Sequence, residues 1–165
     1  MRIYLSNYWK KNLIVGIVIV FIIVIITVIF CAWNYDEEDY ILIVGSIFFV
    51  LLFCYLISLS LKLIRYVTEE NKQLVMYSFR KQKKGSLSLD SDIYYEVLPL
   101  IEGAYSRKDF VVLSNMPFES FQKRGVFGLA KICKEIDTNG EQIIAPYNNP
   151  YVMNLLDVSV CFKIS

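Results

Sequence analysis

The sequence predicts a membrane protein in which an N-terminal two-helix transmembrane hairpin is followed by a small α+β cytosolic domain. Two observations lead to this fold class. Residues 13–33 and 41–61 form two uncharged apolar runs of about 21 residues each, and the remaining chain has a mixed composition. At ~1.5 Å per residue, a helix of that length crosses a hydrocarbon core ~30 Å thick. We therefore expect a hairpin domain over 1–65 and a ligand-sensing or interaction domain over 66–165.

The charges around the two runs predict an orientation. Basic residues precede the first run and follow the second, whereas residues 36–39 between the runs are all acidic. By the positive-inside rule, the N-terminus and the C-terminal domain are cytoplasmic, in a multi-pass protein of the bacterial inner membrane. Tyr4, Tyr8 and Trp9 are then expected to anchor the chain at the membrane interface.

The apolar runs indicate what the hairpin does. Neither run contains a charged or amide side chain, and coupled transporters and selective channels normally need such groups inside the membrane. Ser46, Cys54 and Ser58 lie on one weakly polar helix face, of the kind that helix–helix contacts use. We expect a homo-oligomer, with a tetramer among the candidate states.

The composition argues against an enzyme. The chain has no histidine, and its formal net charge is +1. Without histidine, Ser-His and Cys-His nucleophiles and imidazole zinc sites are excluded. No glycine-rich phosphate loop or calcium-binding loop is present, and the carboxylates are scattered. We predict a non-enzymatic protein with no cofactor and no metal site.

The first part of the C-terminal domain has ambiguous periodicity. Residues 62–72 are predicted to extend the second helix, and residues 74–79 fit either a strand or a continued helix. Asp90 or Ser91 is placed to cap a helix over 92–107, whose apolar stripe is interrupted by Pro99. A bend or a new start is expected at that proline.

The second part has clearer signals. Residues 109–114 read as a short buried strand, and residues 117–136 fit a helix. A hairpin centred on the Asn-Gly pair at 139–140 is the alternative. We favour a helix, then a turn, then a strand at 142–145. Strict alternation over 157–165 predicts a half-buried C-terminal strand.

Two basic pairs are candidates for binding an anion. Arg107 with Lys108, and Lys123 with Arg124, each stand beside a serine or glycine, as in many phosphate sites. Solvated surface is the alternative interpretation. Asn148 and Asn149 lie between two tyrosines in a loop that combines amides with aromatic rings, which suits either nucleobase recognition or a structural turn.

A third basic cluster lies closer to the predicted membrane. Arg80, Lys81, Lys83 and Lys84 precede a Gly-Ser turn signal. A juxtamembrane cluster of this kind attracts anionic lipid, at ~1 kcal/mol per charge. Lipid contact is the favoured interpretation, and contact with a phosphate-bearing ligand is the alternative.

The layout resembles small antiphage membrane effectors that join two transmembrane helices to a compact cytosolic domain sensing a cyclic oligonucleotide. Those associated with type III CRISPR systems and cyclic tetra-adenylate are closest in size. The resemblance covers the layout without a diagnostic motif. It implies a nucleotide-binding antiviral effector whose ligand lies across subunit interfaces. The domain departs from a strongly phosphate-binding protein because its charges balance from Tyr66 onward.

Besides a lipid-binding adaptor that uses residues 80–84 at the inner leaflet, two functions follow from these observations. The first is a membrane-anchored sensor-effector that binds a small anionic signal, with a cyclic oligoadenylate as candidate, and whose hairpins oligomerise to perturb the inner membrane. The second is a non-enzymatic membrane interaction protein, such as a toxin or bacteriocin immunity protein or an assembly scaffold. Membrane lipid and further copies of the chain are the expected partners, and no DNA or RNA duplex is expected.

Overall fold

The structure, a computed structural model, describes residues 1–33, 40–102 and 106–164. The chain divides into two compact units. Met1–Tyr8 and Leu63–Ser165 form one of them, which we call the α+β unit, and Trp9–Lys62 form the other, the helical unit. The acidic residues 36–39, which entered the orientation argument, lie outside the described residues.

The helical unit consists of α1 (Asn7–Trp33) and α2 (Tyr40–Leu63). The less exposed positions of α1 recur every three or four residues, which is the spacing of one helix face. These positions are Leu13, Gly16, Val20, Ile23 and Thr27. A Cβ added to Gly16 would lie 3.8 Å from Ile57 Cγ1 of α2, so the helices approach each other along this narrow stripe.

The prediction of a transmembrane hairpin is corrected by the structure. Among the residues that it describes, no helix is long and apolar enough to span a membrane. The membrane-protein class and the multi-pass inner-membrane localisation are withdrawn with it, and the fold class is α+β with two sheets.

The first sheet of the α+β unit, sheet A, contains four antiparallel strands in sequence order. They are β1 (Arg2–Tyr4), β2 (Arg65–Glu70), β3 (Gln73–Ser78) and β4 (Lys83–Ser88). Asn71 and Lys72 connect β2 to β3 with φ of 49° and 60°. Positive φ at both central residues matches the twist of a tight hairpin.

The second sheet, sheet B, has the strand order β7-β6-β5-β8. These strands are β5 (Ile93–Glu102), β6 (Ser106–Ser114), β7 (Gln142–Pro146) and β8 (Cys161–Lys163). Strand β8 is parallel to β5 and pairs only with its first three residues. Beyond Tyr95, the described part of β5 is therefore not paired with β8 along the edge that faces away from β6.

Two short helices complete the α+β unit, α3 (Leu129–Asn139) and α4 (Pro150–Val158). Apolar residues of both sheets and both helices form one core, which includes Met76, Phe110 and Ile136. The sheets come very close at β4 and β7, where a Cβ added to Gly85 would lie 2.1 Å from the carbonyl oxygen of Gln142. A side chain has no room there, which explains the glycine.

Several local predictions are also corrected. Residues 62–72 do not extend α2, because the helix ends at Leu63 and β2 begins at Arg65. Where a helix was predicted over 92–107, the structure has β5 at Ile93–Glu102 and the start of β6 at Ser106. Pro99 fits β5 because its imide nitrogen needs no partner where β8 is absent.

The chain ends differ from the prediction as well. Residues 2–4, which were expected to anchor at a membrane, form β1 and pair with Tyr66–Thr68. The expected C-terminal strand starts late, because α4 continues to Val158 and β8 spans three residues. In contrast, the strand within 109–114 and the strand at 142–145 are found in β6 and β7. The helix predicted over 117–136 is found only in its second half, because α3 begins at Leu129.

Candidate functional site

The helical unit exposes long apolar side chains over much of its surface. Phe21 is 66% exposed and Phe48 is 64% exposed. Many further side chains of the two helices are also exposed, among them Ile14, Ile26, Val28, Leu51 and Leu52. Exposed apolar area on this scale marks an interaction surface in a folded protein.

A buried carboxylate positions one of the predicted basic pairs. Glu96 of β5 is only 4% exposed, and it accepts hydrogen bonds from Ser120 Oγ at 2.7 Å, Phe121 N at 2.8 Å and Gln122 N at 3.2 Å. Its negative charge therefore caps the first amides of one helical turn over residues 120–125, a favourable location for an anion. Sequence reasoning missed this residue, because the three donors lie more than twenty positions away.

Lys123 and Arg124 lie on that turn with different surroundings. The guanidinium of Arg124 lies 4.7 Å from the centre of the Phe121 ring and makes a 2.8 Å ion pair with Glu135. Arg124 is thus held by intramolecular contacts. Lys123 is exposed, and its backbone N–H donates to Ser120 Oγ.

The second basic pair lies at a corner of sheet B. Arg107 and Lys108 are exposed near the start of β6. The N–H of Tyr147, which follows β7, donates to the carbonyl oxygen of Asp109 at 3.0 Å. This bond ties Tyr147 to the start of β6, and Asn148 follows Tyr147 along the chain. We call Arg107, Lys108 and Asn148 the β6–β7 corner.

Asn149 has a structural role. Its Oδ1 accepts a 3.0 Å hydrogen bond from Tyr151 N, and Pro150 occupies the first position of α4. Asparagine followed by proline is a favourable start for a helix. The predicted loop is therefore a helix cap, and only Asn148 of the two asparagines is free of that role.

The two predicted basic pairs do not form one site within a chain. Gln122 Nε2 donates to Val97 O, and Val97 is opposite Val111. Lys108 is three residues from Val111, about 10 Å along the strand. The turn that carries Lys123 is therefore separated from the β6–β7 corner.

The basic cluster over residues 80–84, which runs from the β3–β4 turn into β4, is also divided. Arg80, Lys81 and Lys83 are exposed, and Lys81 has a φ of 59° in the tight turn. Lys84 instead lies 3.7 Å from the carboxylate of Asp137. The cluster was predicted to contact lipid, and that prediction depended on the membrane location withdrawn above.

Asp137 also holds a buried arginine that the sequence did not reveal. Arg65 is 4% exposed, and its two terminal nitrogens lie 2.5 and 3.0 Å from the Asp137 oxygens. Nearby, burial raises the pKa of the Cys133 thiol to about 11. Asp137 thus compensates the charge of Arg65 at the beginning of β2, and Cys133 stays protonated at neutral pH.

The outer face of sheet A carries a row of tyrosines. Tyr4, Tyr66 and Tyr77 are directly opposite one another on β1, β2 and β3. Their ring centres are 5.8 and 5.6 Å apart, and the second pair is stacked. We call these three residues the tyrosine row. Sequence analysis treated Tyr4 as an interface anchor and did not connect the three, because their proximity depends on strand register.

Within the described ranges, no group of three or more histidine, cysteine, aspartate or glutamate side chains is arranged to hold a metal ion. No protein-family profile, curated protein or solved structure is significantly similar to this chain. The function therefore has to be argued from the surfaces described above.

Proposed function

We propose that this chain is a non-enzymatic, self-associating protein whose α+β unit binds a small anionic signal. The candidate signal is a cyclic oligoadenylate. The self-association half rests on the apolar surface of the helical unit, and the ligand half rests on the β6–β7 corner together with the resemblance to cyclic-oligonucleotide effectors.

The exposed apolar side chains of the helical unit are the single observation that carries the proposal. Phe21, Phe48 and Leu51 are 66%, 64% and 63% exposed. Apolar exposure of this kind marks an interaction surface in a folded protein.

The intramolecular contact between the helices leaves this surface open. In α1 the less exposed stripe is one residue wide, and Ile14, Phe21 and Ile26 lie outside it. In α2, Phe48 and Leu51 are similarly exposed. A second copy offers equivalent apolar faces, so self-association buries them without requiring a different partner.

The β6–β7 corner supplies groups for an anion. Arg107 offers a forked donor suited to phosphate, and Lys108 and Asn148 offer further donors. Asp109 is exposed beside them and reduces the local positive charge. A single corner is therefore a weak site, and corners from several subunits of an assembly would bind a multiply charged ligand more strongly.

The test uses the full chain in a mild non-ionic detergent, because the apolar faces would otherwise aggregate. Light scattering is expected to give a protein mass of two or more chains, and Phe21→Gln combined with Phe48→Gln is expected to lower it. Phe79→Gln is the matched control, since Phe79 is an exposed aromatic residue of the α+β unit. A one-chain mass at every concentration, with detergent alone covering the helices, would contradict self-association.

The ligand half is tested by calorimetric titration with cyclic tetra-adenylate. Binding is expected, and Arg107→Gln is expected to weaken it about tenfold, the effect of losing one charge-assisted contact of about 1.5 kcal/mol. Arg124→Gln is the comparison, since Arg124 is already paired with Glu135. If cyclic tetra-adenylate produces no heat of binding and no change in the mass of the protein assembly, the ligand half of the proposal is refuted. Self-association is not affected by that result.

An interaction protein or assembly scaffold is the second candidate, and the edge of sheet B favours it. Val158 is 87% exposed and Val160 is 64% exposed, directly before the edge strand β8. An apolar patch beside an open strand edge suits pairing with another protein. Self-association without any ligand response would favour this candidate.

A further inference from the structure

The outer face of sheet A lies outside the hydrophobic core. On the inner face, Val67 and Met76 belong to that core. On the outer face, Val75 is 4% exposed but is not a member of the core cluster. Its neighbours Thr68 and Ser86, directly opposite it on β2 and β4, are half-buried, as is the tyrosine row. The outer face is therefore a mixed aromatic and hydroxyl surface that is partly open to solvent.

Cations collect at one end of this face. Arg80 and Lys81 lie in the turn between β3 and β4, and Lys83 is directly opposite Tyr77. All three cations are exposed, and the structure shows no ion pair between them and any residue that it describes. We call these three residues the basic end. Glu141, the residue before β7, offsets at most one of their charges.

Carboxylates collect at the opposite end of the same face. The N–H of Leu89 donates to the carbonyl oxygen of Lys72 at 2.9 Å, which brings the end of β4 next to the β2–β3 turn. Glu70, Asp90 and Asp92 are exposed there, and we call them the acidic end. Lys72 Nζ lies 3.4 Å from Asp90 and offsets one of the three charges. The acidic end therefore keeps a net negative charge.

The two ends are too far apart to neutralise each other within one chain. Strand β3 runs from one end to the other, and its 6 residues extend about 17 Å at ~3.4 Å per residue. The Debye length is only ~8 Å at physiological salt. Each end therefore attracts the opposite end of another molecule more effectively than it attracts its own.

These charges select one way for two copies to lie face to face. Pairs of identical chains are usually related by a two-fold axis. If that axis runs along the strands, each end meets its own kind, and like charges repel. If the axis is perpendicular to the strands, each basic end lies over the partner's acidic end, and this contact occurs twice. The axis then crosses sheet A near Thr68, Val75 and Ser86, with one tyrosine row on each side of it.

We propose that the outer face of sheet A is a second self-association surface, on which another copy packs with its strands antiparallel and opposite ends in contact. The inference rests on the self-association half of the proposed function, because the face is small. Four strands at ~4.8 Å spacing and ~17 Å length present about 300 Å², below the ~800 Å² per partner of a standard interface. The sheet contact therefore orients copies that the helical unit holds together.

Charge reversal in the full chain tests the pairing of the two ends. The concentration at half-association is measured by sedimentation equilibrium in mild non-ionic detergent. Arg80→Glu with Lys83→Glu is expected to raise it at least tenfold, the loss of about 1.4 kcal/mol shared by four exposed ion pairs. Asp90→Lys with Asp92→Lys is expected to have the same effect. An equimolar mixture of the two variants is expected to associate as the wild type does, because opposite ends face each other again.

The matched control is Lys131→Glu with Lys134→Glu. Both lysines are exposed on α3, and this variant has the same net charge as the Arg80 and Lys83 variant. Its half-association concentration is expected to equal that of the wild type. Thermal unfolding of every variant shows whether it folds.

Chemical crosslinking tests the antiparallel arrangement. Thr68→Cys is placed in a chain whose native cysteines are replaced by serine, and a short bifunctional maleimide is added. We expect covalent dimers, because the two copies of residue 68 lie near the axis. Lys72→Cys is the control, since Lys72 is exposed at the acidic end, which the axis carries to the opposite end of the pair. It is expected to give few dimers.

The outcomes separate this inference from the proposed function. If the wild type associates and both charge variants associate equally tightly, the sheet contact is overturned and the proposed function is intact. A mixture that does not recover also overturns it. A mixture that recovers without Thr68→Cys dimers indicates end-to-end contact and overturns the face-to-face arrangement. If the wild type is a single chain at every concentration, the sheet contact fails together with self-association, while the ligand half stands on its titration.

Discussion

Replacing Glu96 with alanine is expected to release the turn over residues 120–125. The buried carboxylate accepts three hydrogen bonds, two of them from the backbone amides of Phe121 and Gln122. Hydrogen bonds to a charged group contribute about 1.5–3 kcal/mol each. Because Gln122 lies at the surface, water replaces part of what is lost, and we expect a local cost of about 2–4 kcal/mol.

Hydrogen exchange followed by mass spectrometry measures this loss of local free energy directly. A local free energy of about 2–4 kcal/mol corresponds to amide exchange about 30- to 1,000-fold faster in the turn. The amides of β6 and β7 are expected to change much less, because their ladders do not depend on Glu96. The accelerated exchange should appear in peptides that contain Phe121 and Gln122.

The control for Glu96 is Glu119→Ala. Glu119 is an exposed carboxylate adjacent to the same turn, and its removal is expected to change exchange less than twofold, within the ±0.5 kcal/mol typical of surface substitutions. Unchanged exchange of the Phe121 and Gln122 amides in Glu96→Ala would refute the role of this carboxylate. Equal acceleration throughout the α+β unit would show global destabilisation instead of a local cap.

Three further substitutions test other contacts. Gly85→Ala places a Cβ 2.1 Å from the Gln142 carbonyl oxygen, so the sheets must separate. The free energy of unfolding measured in urea is expected to fall by about 1–3 kcal/mol, and an unchanged urea midpoint would contradict the close approach. Asp137→Asn leaves the buried Arg65 without its counter-charge and is expected to cost about 3 kcal/mol, with a loss below 1 kcal/mol arguing against the pair. Burial raises the pKa of the Cys133 thiol to about 11, so the contribution of this thiol to stability is present below pH 9 and is lost progressively as the pH rises from 9 to 11. Cys133→Ala is expected to flatten the plot of unfolding free energy against pH in that range. If the plots of the variant and the wild type are parallel there, burial of the thiol is contradicted.

Local sequence signals predicted part of the α+β unit. The buried strand in β6, the Asn-Gly turn and the strand β7 follow one another within about 40 residues, and each has its own pattern. Residues 92–107 were assigned to a helix because a nearly continuous apolar run fits both periods. Burial of Glu96, Leu98 and Leu100 with exposure of Pro99 and Ile101 shows the two-residue period of a strand.

The sequence contains only a weak signal for the hairpin between β2 and β3. Asn71 and Lys72 both adopt positive φ, which asparagine tolerates well and lysine does not favour. The sequence instead predicts that Arg65 and Glu70, at the ends of β2, belong to the helix extension over 62–72. The pairing of Val67–Glu69 with Leu74–Met76 becomes evident only when both strands are considered together.

The candidate site was predicted less well than the strands. Basic residues can be located in a sequence, but their partners cannot. Arg124 is paired with Glu135 and Arg65 is paired with Asp137, seventy-two positions away. These contacts, like the tyrosine row, are set by tertiary structure and strand register, which composition and spacing do not encode.

Energy transfer between copies labelled at Cys54 tests self-association most directly. Cys54 is exposed on α2, and Cys31, Cys133 and Cys161 are replaced so that one label enters each chain. Donor-labelled and acceptor-labelled full chains are mixed in detergent, with micelles in large excess over protein. We predict energy transfer that rises with protein concentration and falls when unlabelled chain is added. Transfer no greater than that of two unrelated labelled proteins, at every concentration, would contradict self-association through the helical unit.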